Sequence, residues 1–251
     1  MAATTATRGS TGSAAARRAK RPAPFPVELY RSAVGKKYVM AVTGIMIMGF
    51  VLLHMIGNLK MYLGAEEFNH YGEFLRELLV PILPRTVTLW LLRIGLIVAI
   101  VLHVHAAYAL TRINHAARET KYQSKRDYVA ANYASRTMRY SGVIVGLFLV
   151  WHLFDLTFTG TGYHYVRGLP YENVAHTLGR WWNAILYVVA NVALGFHLFH
   201  GAWSLFQTMG WNNPRFNAMR KNFAIGFAAL IVIGNVSFPL AVTFDIVKLP
   251  S

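Results

Sequence analysis

The chain has 251 residues, of which 55% are hydrophobic and only 14% charged, and its formal net charge is +15. The apolar residues gather into blocks of about twenty, the length at which a helix crosses a bilayer, and this excludes an ordinary soluble domain. The chain has no cysteine, which excludes disulfides, thiolate ligation of a metal and an iron–sulfur cluster built from this chain alone. Histidine is the main candidate metal ligand that remains.

The chain begins with a basic tail. Residues 1–24 are rich in Ala, Thr, Ser and Arg without an apolar core segment, so we expect a disordered cytoplasmic tail over 1–30 rather than a secretory signal. Of the 25 Lys and Arg residues, eight precede residue 38, seven lie in 112–139 and three in 209–222. The positive-inside rule then places the amino terminus in the cytoplasm and the carboxyl terminus outside. Because topology explains the charge, we expect no nucleic-acid partner.

Five apolar blocks predict transmembrane helices within a membrane domain over 31–251. They cover residues 38–59, 87–109, 140–158, 181–205 and 223–244. None of them alternates apolar with polar residues, as the strands of a barrel would. Backbone groups in hydrocarbon must be satisfied internally, which a helix achieves by itself. We therefore expect an all-α membrane protein, a bundle of five transmembrane helices in contact with lipid.

Three connections carry further signals. Residues 65–79 mix acidic and apolar residues, and this predicts a helix that lies along the outer surface. The basic segment 112–139 suits either a contact with headgroups or a protein partner, or a solvated loop, and both readings stay open. Glycine, proline and aromatic residues in 160–179 predict turns at the interface.

Four of the five spans carry a histidine, and the depths of these histidines match in pairs. At a rise of about 1.5 Å per residue, His54 and His152 lie roughly 24 and 18 Å from the inner surface, in the outer half of the membrane. His105 and His197 lie roughly 22 to 24 Å from the outer surface, in the inner half. A single histidine in a span is explained by a hydrogen bond to a neighbouring helix. Four in two matched pairs predict axial ligation of two haem irons.

Two alternates accompany these ligands, and one acidic residue lies near them. His103 precedes His105 by two residues, so the two lie on nearly opposite faces and only one can point at a given haem; we favour His105. His200 follows His197 by one turn on the same face and could be a ligand, a propionate or quinone contact, or a hydrogen-bond donor. Asp155, one turn after His152, either accepts a hydrogen bond at the outer surface or is a carboxylate at headgroup level, and we favour the second reading.

The motifs resemble the five-helix, single-chain cytochrome b subunit of bacterial succinate:quinone oxidoreductases, the dihaem succinate dehydrogenases and fumarate reductases. The resembling segments span nearly all of residues 30–215. They are RSAVGKKYVMAVTG, FVLLHMIGNLKMYLG, FNHYGEFL, LHVHAAYALTRINHAAR, VWHLFDLTF and FHLFHGAWSLFQTMGWNN.

The resemblance implies the site and the partners. It implies that His54 and His152 hold an outer haem b and that His105 and His197 hold an inner one. It also implies a bacterial inner-membrane anchor that docks a flavoprotein subunit and an iron–sulfur subunit. The anchor would pass electrons from the iron–sulfur subunit through the haems to a quinone, for which menaquinone is the candidate. We expect this chain itself to hold no dicarboxylate site.

The quinone position and the competing functions stay open. Arg31 and Ser32 are candidate quinone contacts at the mouth of the first span, although basic residues there also follow the charge rule. An outer quinone site near Glu66 and Asn69 is the other possibility. The alternatives to a dihaem anchor are a haem-free or partly haem-depleted anchor, a cytochrome b of another dehydrogenase or a hydrogenase, and a transporter with a histidine proton relay.

Overall fold

The computed structural model describes residues 24–117, 129–158, 165–211 and 213–248. Within these ranges the regular structure is helical and contains no strand, which confirms the all-α prediction. Five of the described helices are long and apolar enough to cross a membrane. The helices are α1 Phe25–Arg31, α2 Ala33–Asn58, α3 Ala65–Glu77, α4 Val87–Ala116, α5 Val129–Leu156, α6 Pro170–Leu178, α7 Trp181–Thr208 and α8 Asn217–Thr243, with 3-10 turns at Leu59–Leu63 and Pro214–Phe216.

The five spanning helices are α2, α4, α5, α7 and α8, and four of the five extend well beyond the predicted apolar blocks. α5 begins at Val129, eleven residues before the predicted start, and α4 ends at Ala116, seven residues after the predicted end. Hydropathy identifies only the part of a helix that would lie in hydrocarbon. The polar turns beyond the apolar block continue the same backbone hydrogen bonding. Hydropathy does not detect them, because their side chains are not apolar.

Six of the seven residues of helix α1 belong to the segment 1–30 that the sequence assigned to a disordered tail. Residues 1–23 of that segment lie outside the described part of the chain. The Ser32 hydroxyl accepts a hydrogen bond from the Gly35 amide at 2.9 Å and so caps α2. The Lys36 ammonium donates to the carbonyls of Tyr30 and Arg31 at 3.0 and 2.7 Å. These carbonyls lie at the end of α1, where the helix itself offers them no hydrogen-bond partner. These side-chain bonds explain a helix that hydropathy alone does not indicate.

The spanning helices pack as two groups. α2 packs against α4 in the first group, whereas α7 packs against both α5 and α8 in the second. Less extensive contacts of α2 with α7 and α8 join the groups. Gly234 on α8 lies directly under Met55 of α2, since a Cβ built there would be 2.2 Å from the Met55 sulfur. A glycine at this point lets the two groups approach.

One end of the bundle is closed by α3, α6 and the end of α8; we call it the C-face, and the end that carries α1 the N-face. The Asn69 side chain accepts from the Tyr171 amide at 3.0 Å and donates to Glu172 at 3.2 Å. The Tyr171 hydroxyl donates to the Lys248 carbonyl at 3.0 Å.

The predicted helix over 65–79 is confirmed as α3. Residues 160–164 of the segment in which turns were predicted lie outside the described part of the chain, and residues 170–178 form α6 instead, whose early proline and glutamate are helix-start signals.

Candidate functional site: two histidine pairs

The structure brings together His54 of α2 and His152 of α5 near the C-face. Their ring centroids are 6.0 Å apart and their planes meet at 85°. Phe50, one turn before His54, stacks on it with centroids 5.3 Å apart. Phe148 lies beside His152 at 5.8 Å. We call His54 and His152 the C-face pair.

A second pair lies nearer the N-face and is formed by His103 of α4 and His197 of α7. Their ring centroids are 6.3 Å apart, with an angle of 68° between the planes. Glycines flank both rings. A Cβ at Gly44 would lie 3.5 Å from Cε1 of His103, and one at Gly142 would lie 3.2 Å from Cε1 of His197. We call His103 and His197 the N-face pair.

His105, the histidine favoured from the sequence, faces elsewhere. Its Nδ1 is hydrogen-bonded to the Tyr30 hydroxyl, and the two rings stack with centroids 5.8 Å apart. Two residues turn a helix by about 200°, so His103 and His105 lie on nearly opposite faces of α4. His103 points toward α7, and His105 points toward α1. The geometry therefore reverses the preference for His105 and favours the alternate, His103.

The remaining candidates do not join either pair. His200 lies one turn from His197, and its Nε2 is 3.1 Å from the Thr137 hydroxyl oxygen. Of the two quinone candidates, Ser32 donates its hydroxyl to the Leu29 carbonyl at 2.7 Å and caps α2, so a local structural role accounts for it. The Arg31 side chain is exposed beside it.

Hydrogen bonds at Nδ1 fix the tautomers of the N-face pair. Nδ1 of His197 is 3.3 Å from the Met138 carbonyl, which can only accept, so this nitrogen carries the proton. Nδ1 of His103 is 3.2 Å from the Thr43 hydroxyl oxygen. That hydroxyl donates to the Val39 carbonyl at 2.7 Å, so it accepts from His103. In both rings Nε2 is then the nitrogen with the lone pair.

His152 of the C-face pair is held in the same tautomer by a longer chain of hydrogen bonds. Its Nδ1 is 3.2 Å from the Tyr187 hydroxyl oxygen, and that hydroxyl donates to Oδ2 of Asp155 at 3.3 Å. A hydroxyl has one proton, so Tyr187 accepts from His152 Nδ1 while it donates to Asp155. Nε2 of His152 again keeps its lone pair.

Asp155 is buried within the protein and accepts hydrogen bonds, which was one of the two readings that the sequence left open for it. Its side chain is fully inaccessible, and Arg180 donates to Oδ1 at 2.8 Å across an ion pair. Asn183 donates to Oδ2 at 3.0 Å and accepts from the Trp151 indole at 3.0 Å. A buried carboxylate needs both a counter-charge and donors, and α7 and the corner before it supply these.

Tyr187, Asn183, Arg180 and Thr43 are site residues that the sequence reasoning missed. A usable signal was present for α7, where Asn183, Tyr187 and Asn191 recur at four-residue spacing on one face of an apolar span. Polar side chains within a membrane span face the protein interior. This stripe therefore indicated the buried face of α7.

The residues present fit haem held by two imidazoles. With a metal–nitrogen bond of about 2 Å, two imidazoles on opposite sides of one ion have centroids about 6 Å apart, which both pairs match. Three of the four histidines donate Nδ1–H to the protein, the arrangement that metal-ligating histidines require. Helices that share a pair, α2 with α5 and α4 with α7, are not among those packed extensively together. The pairs therefore lie where a flat macrocycle could enter between helices.

Within the described ranges, no group of three or more histidine, aspartate and glutamate side chains is arranged to hold a metal ion. No curated protein and no solved structure is significantly similar to the chain. One family model does match, and its region includes His152 and His197. Over residues 116–235, slightly under half of its length, the chain is similar to the transmembrane subunit of succinate dehydrogenase and fumarate reductase.

Proposed function

We propose that this protein is the dihaem cytochrome b subunit that anchors a succinate:quinone oxidoreductase in the bacterial cytoplasmic membrane. The observation that carries the proposal is the presence of two facing histidine pairs, with centroids 6.0 and 6.3 Å apart, in a five-span bundle. Residues 116–235 of that bundle match the transmembrane subunit of succinate dehydrogenase and fumarate reductase. The family match supports an association with the soluble subunits of such a complex.

In this proposal the C-face pair holds one haem b and the N-face pair, His103 and His197, holds the other. Bound haem supplies reversible one-electron chemistry between the ferric and ferrous states. The two histidines of each pair would hold the haem, and its chemistry at such a site would be electron transfer rather than reaction with oxygen. Apolar neighbours such as Phe50 and Phe148 keep water from the C-face pair.

The charge distribution supports an orientation with the N-face in the cytoplasm. The N-face pair would then lie nearer the docked iron–sulfur subunit and the C-face pair nearer the outside. The flavoprotein and iron–sulfur subunits would supply electrons at the N-face, and a quinone, with menaquinone the candidate, would accept them. Tyr30 and His105 are hydrogen-bonded side chains at the same face, beside α1.

The deciding experiment is haem quantitation on the full chain purified with its partner subunits. A reduced-minus-oxidised spectrum with pyridine haemochrome analysis should give two b haems per chain. No haem would overturn the proposal and leave a haem-free anchor. One haem would limit it to a single pair, and histidine variants would show which one.

A further inference from the structure

The two histidine pairs differ in what receives their Nδ1 protons. In the N-face pair the acceptors are neutral: the Thr43 hydroxyl for His103 and the Met138 carbonyl for His197. In the C-face pair His152 donates to Tyr187, which donates in turn to the buried carboxylate of Asp155. One ligand of one site is therefore coupled through a single hydroxyl to an anion.

We propose that Tyr187 is a positioning residue that transmits the negative charge of Asp155 to His152 and so lowers the midpoint potential of the haem at the C-face pair. The inference rests on the proposed function, since it assigns a role toward haem. It is independent of which quinone or soluble partner the complex uses.

The physical argument concerns the electron density on the imidazole. An acceptor that is itself hydrogen-bonded to a carboxylate pulls the Nδ1 proton away from the ring, and the other nitrogen becomes a stronger donor to the metal. A stronger donor stabilises the ferric state over the ferrous state, which lowers the potential. The effect survives because Asp155, Asn183 and Tyr187 are buried, where charges are poorly screened.

The surrounding groups favour a Tyr187 hydroxyl that is fixed in direction. Phe148 packs edge-on against the Tyr187 ring with centroids 4.9 Å apart. Arg180 and Asn183 occupy other positions around the Asp155 carboxylate and keep it in place. Arg180 offsets the charge in part, but it bonds Oδ1, whereas Tyr187 bonds Oδ2. The hydroxyl is thus the link between carboxylate and histidine.

The test is the Tyr187→Phe variant of the full complex, which removes one oxygen and keeps the ring. Thr43→Val is the matched control, because it removes the hydroxyl that serves His103. Redox titration followed at the haem bands should show the C-face haem of Tyr187→Phe shifted to higher potential. At a fixed solution potential we expect the ferric-to-ferrous ratio of this haem to change about tenfold, which corresponds to a shift of about 59 mV in its midpoint potential for one electron. The other haem should be unmoved. Thr43→Val should leave the C-face haem unmoved and should shift the N-face haem by less, because the hydroxyl that it removes is not linked to a charge.

Electron paramagnetic resonance of the ferric state gives a second readout, because the ligand field at the C-face haem should change in Tyr187→Phe alone. The absorption spectrum of His54→Ala, which should lack the C-face haem, shows which haem bands belong to the C-face haem and which to the N-face haem. An unshifted C-face haem in a Tyr187→Phe complex with two haems would overturn the inference and leave the proposed function intact. A wild-type complex without haem would instead overturn the proposed function.

Discussion

His103 on α4 faces His197 on α7 with ring centroids 6.3 Å apart, while His105, two residues later, is hydrogen-bonded to Tyr30 on α1. Neighbouring histidines of one helix thus serve different parts of the molecule. The first belongs to a pair that fits a metal, and the second fastens α1 to the bundle.

This division makes a direct prediction for two variants. His103→Ala should lower the haem content from two to one per chain, because the N-face pair loses a ligand. His105→Ala should retain two haems and disturb only the contact with Tyr30. Pyridine haemochrome quantitation distinguishes the outcomes, and loss of a haem in His105→Ala but not in His103→Ala would show that the assignment is inverted.

Gly142 and Gly146 form a matched pair on α5. A Cβ at Gly142 would lie 3.2 Å from Cε1 of His197, whereas one at Gly146 meets nothing within 4 Å. Gly146→Ala should raise the free energy of unfolding by about 0.5–1 kcal/mol through helix propensity. Gly142→Ala should raise the free energy of unfolding by less, because its Cβ would press on the His197 ring. For the same reason it should change the spectrum of the N-face haem. Thermal unfolding and absorption spectra test this, and identical behaviour of both variants would contradict it.

The buried ion pair between Asp155 and Arg180 predicts a pronounced loss of stability when only one partner is changed. Arg180→Gln leaves a buried carboxylate without its counter-charge and should cost about 3–5 kcal/mol of unfolding free energy. The double variant Asp155→Asn with Arg180→Gln should recover much of that loss, because no buried charge remains. Denaturant unfolding of the wild type, the two single variants Arg180→Gln and Asp155→Asn and the double variant provides the comparison, and additive losses would argue against the pair.

Lys36 and Lys37 are adjacent, yet only Lys36 is buried and bonded to the last carbonyls of α1. Lys36→Met should lower the free energy of local opening of residues 25–31 by about 1–2 kcal/mol, because two charge-assisted hydrogen bonds are lost. Lys37→Met, at an exposed position, should have little effect. Hydrogen exchange of the α1 amides measures the difference, and equal protection in both variants would refute this role.

The depth of the histidines could be predicted from sequence because the rise per residue in a helix is fixed. The distance of His54 and His152 from the ends of their spans placed them at similar depth, and the structure does bring them together. The choice between His103 and His105 could not be made in the same way. It depends on how α4 is rotated about its axis, and apolar residues all around a lipid-embedded helix leave that rotation without a clear signal.

The hydrogen-bond network around Asp155 could not be predicted from the sequence for a different reason. Its members come from α5, α7 and the corner before α7, up to 32 residues apart in the chain. Sequence patterns report neighbours on one helix, so they show that Asn183 and Tyr187 share a face but not which carboxylate that face meets. The place of Asp155 near the end of a span gives its depth, but its burial beside Arg180, Asn183 and Tyr187 depends on how α5 packs against α7.

Each histidine pair joins one helix of the first packed group, α2 or α4, to one helix of the second, α5 or α7. A haem held at either pair would therefore tie together two halves that are synthesised at different times. Neither ligand set is complete until α5 has inserted for the C-face pair and α7 for the N-face pair. Cofactor capture would then come late in biogenesis, after four of the five crossings are made for the second site, and would serve as a check that both halves have entered the membrane.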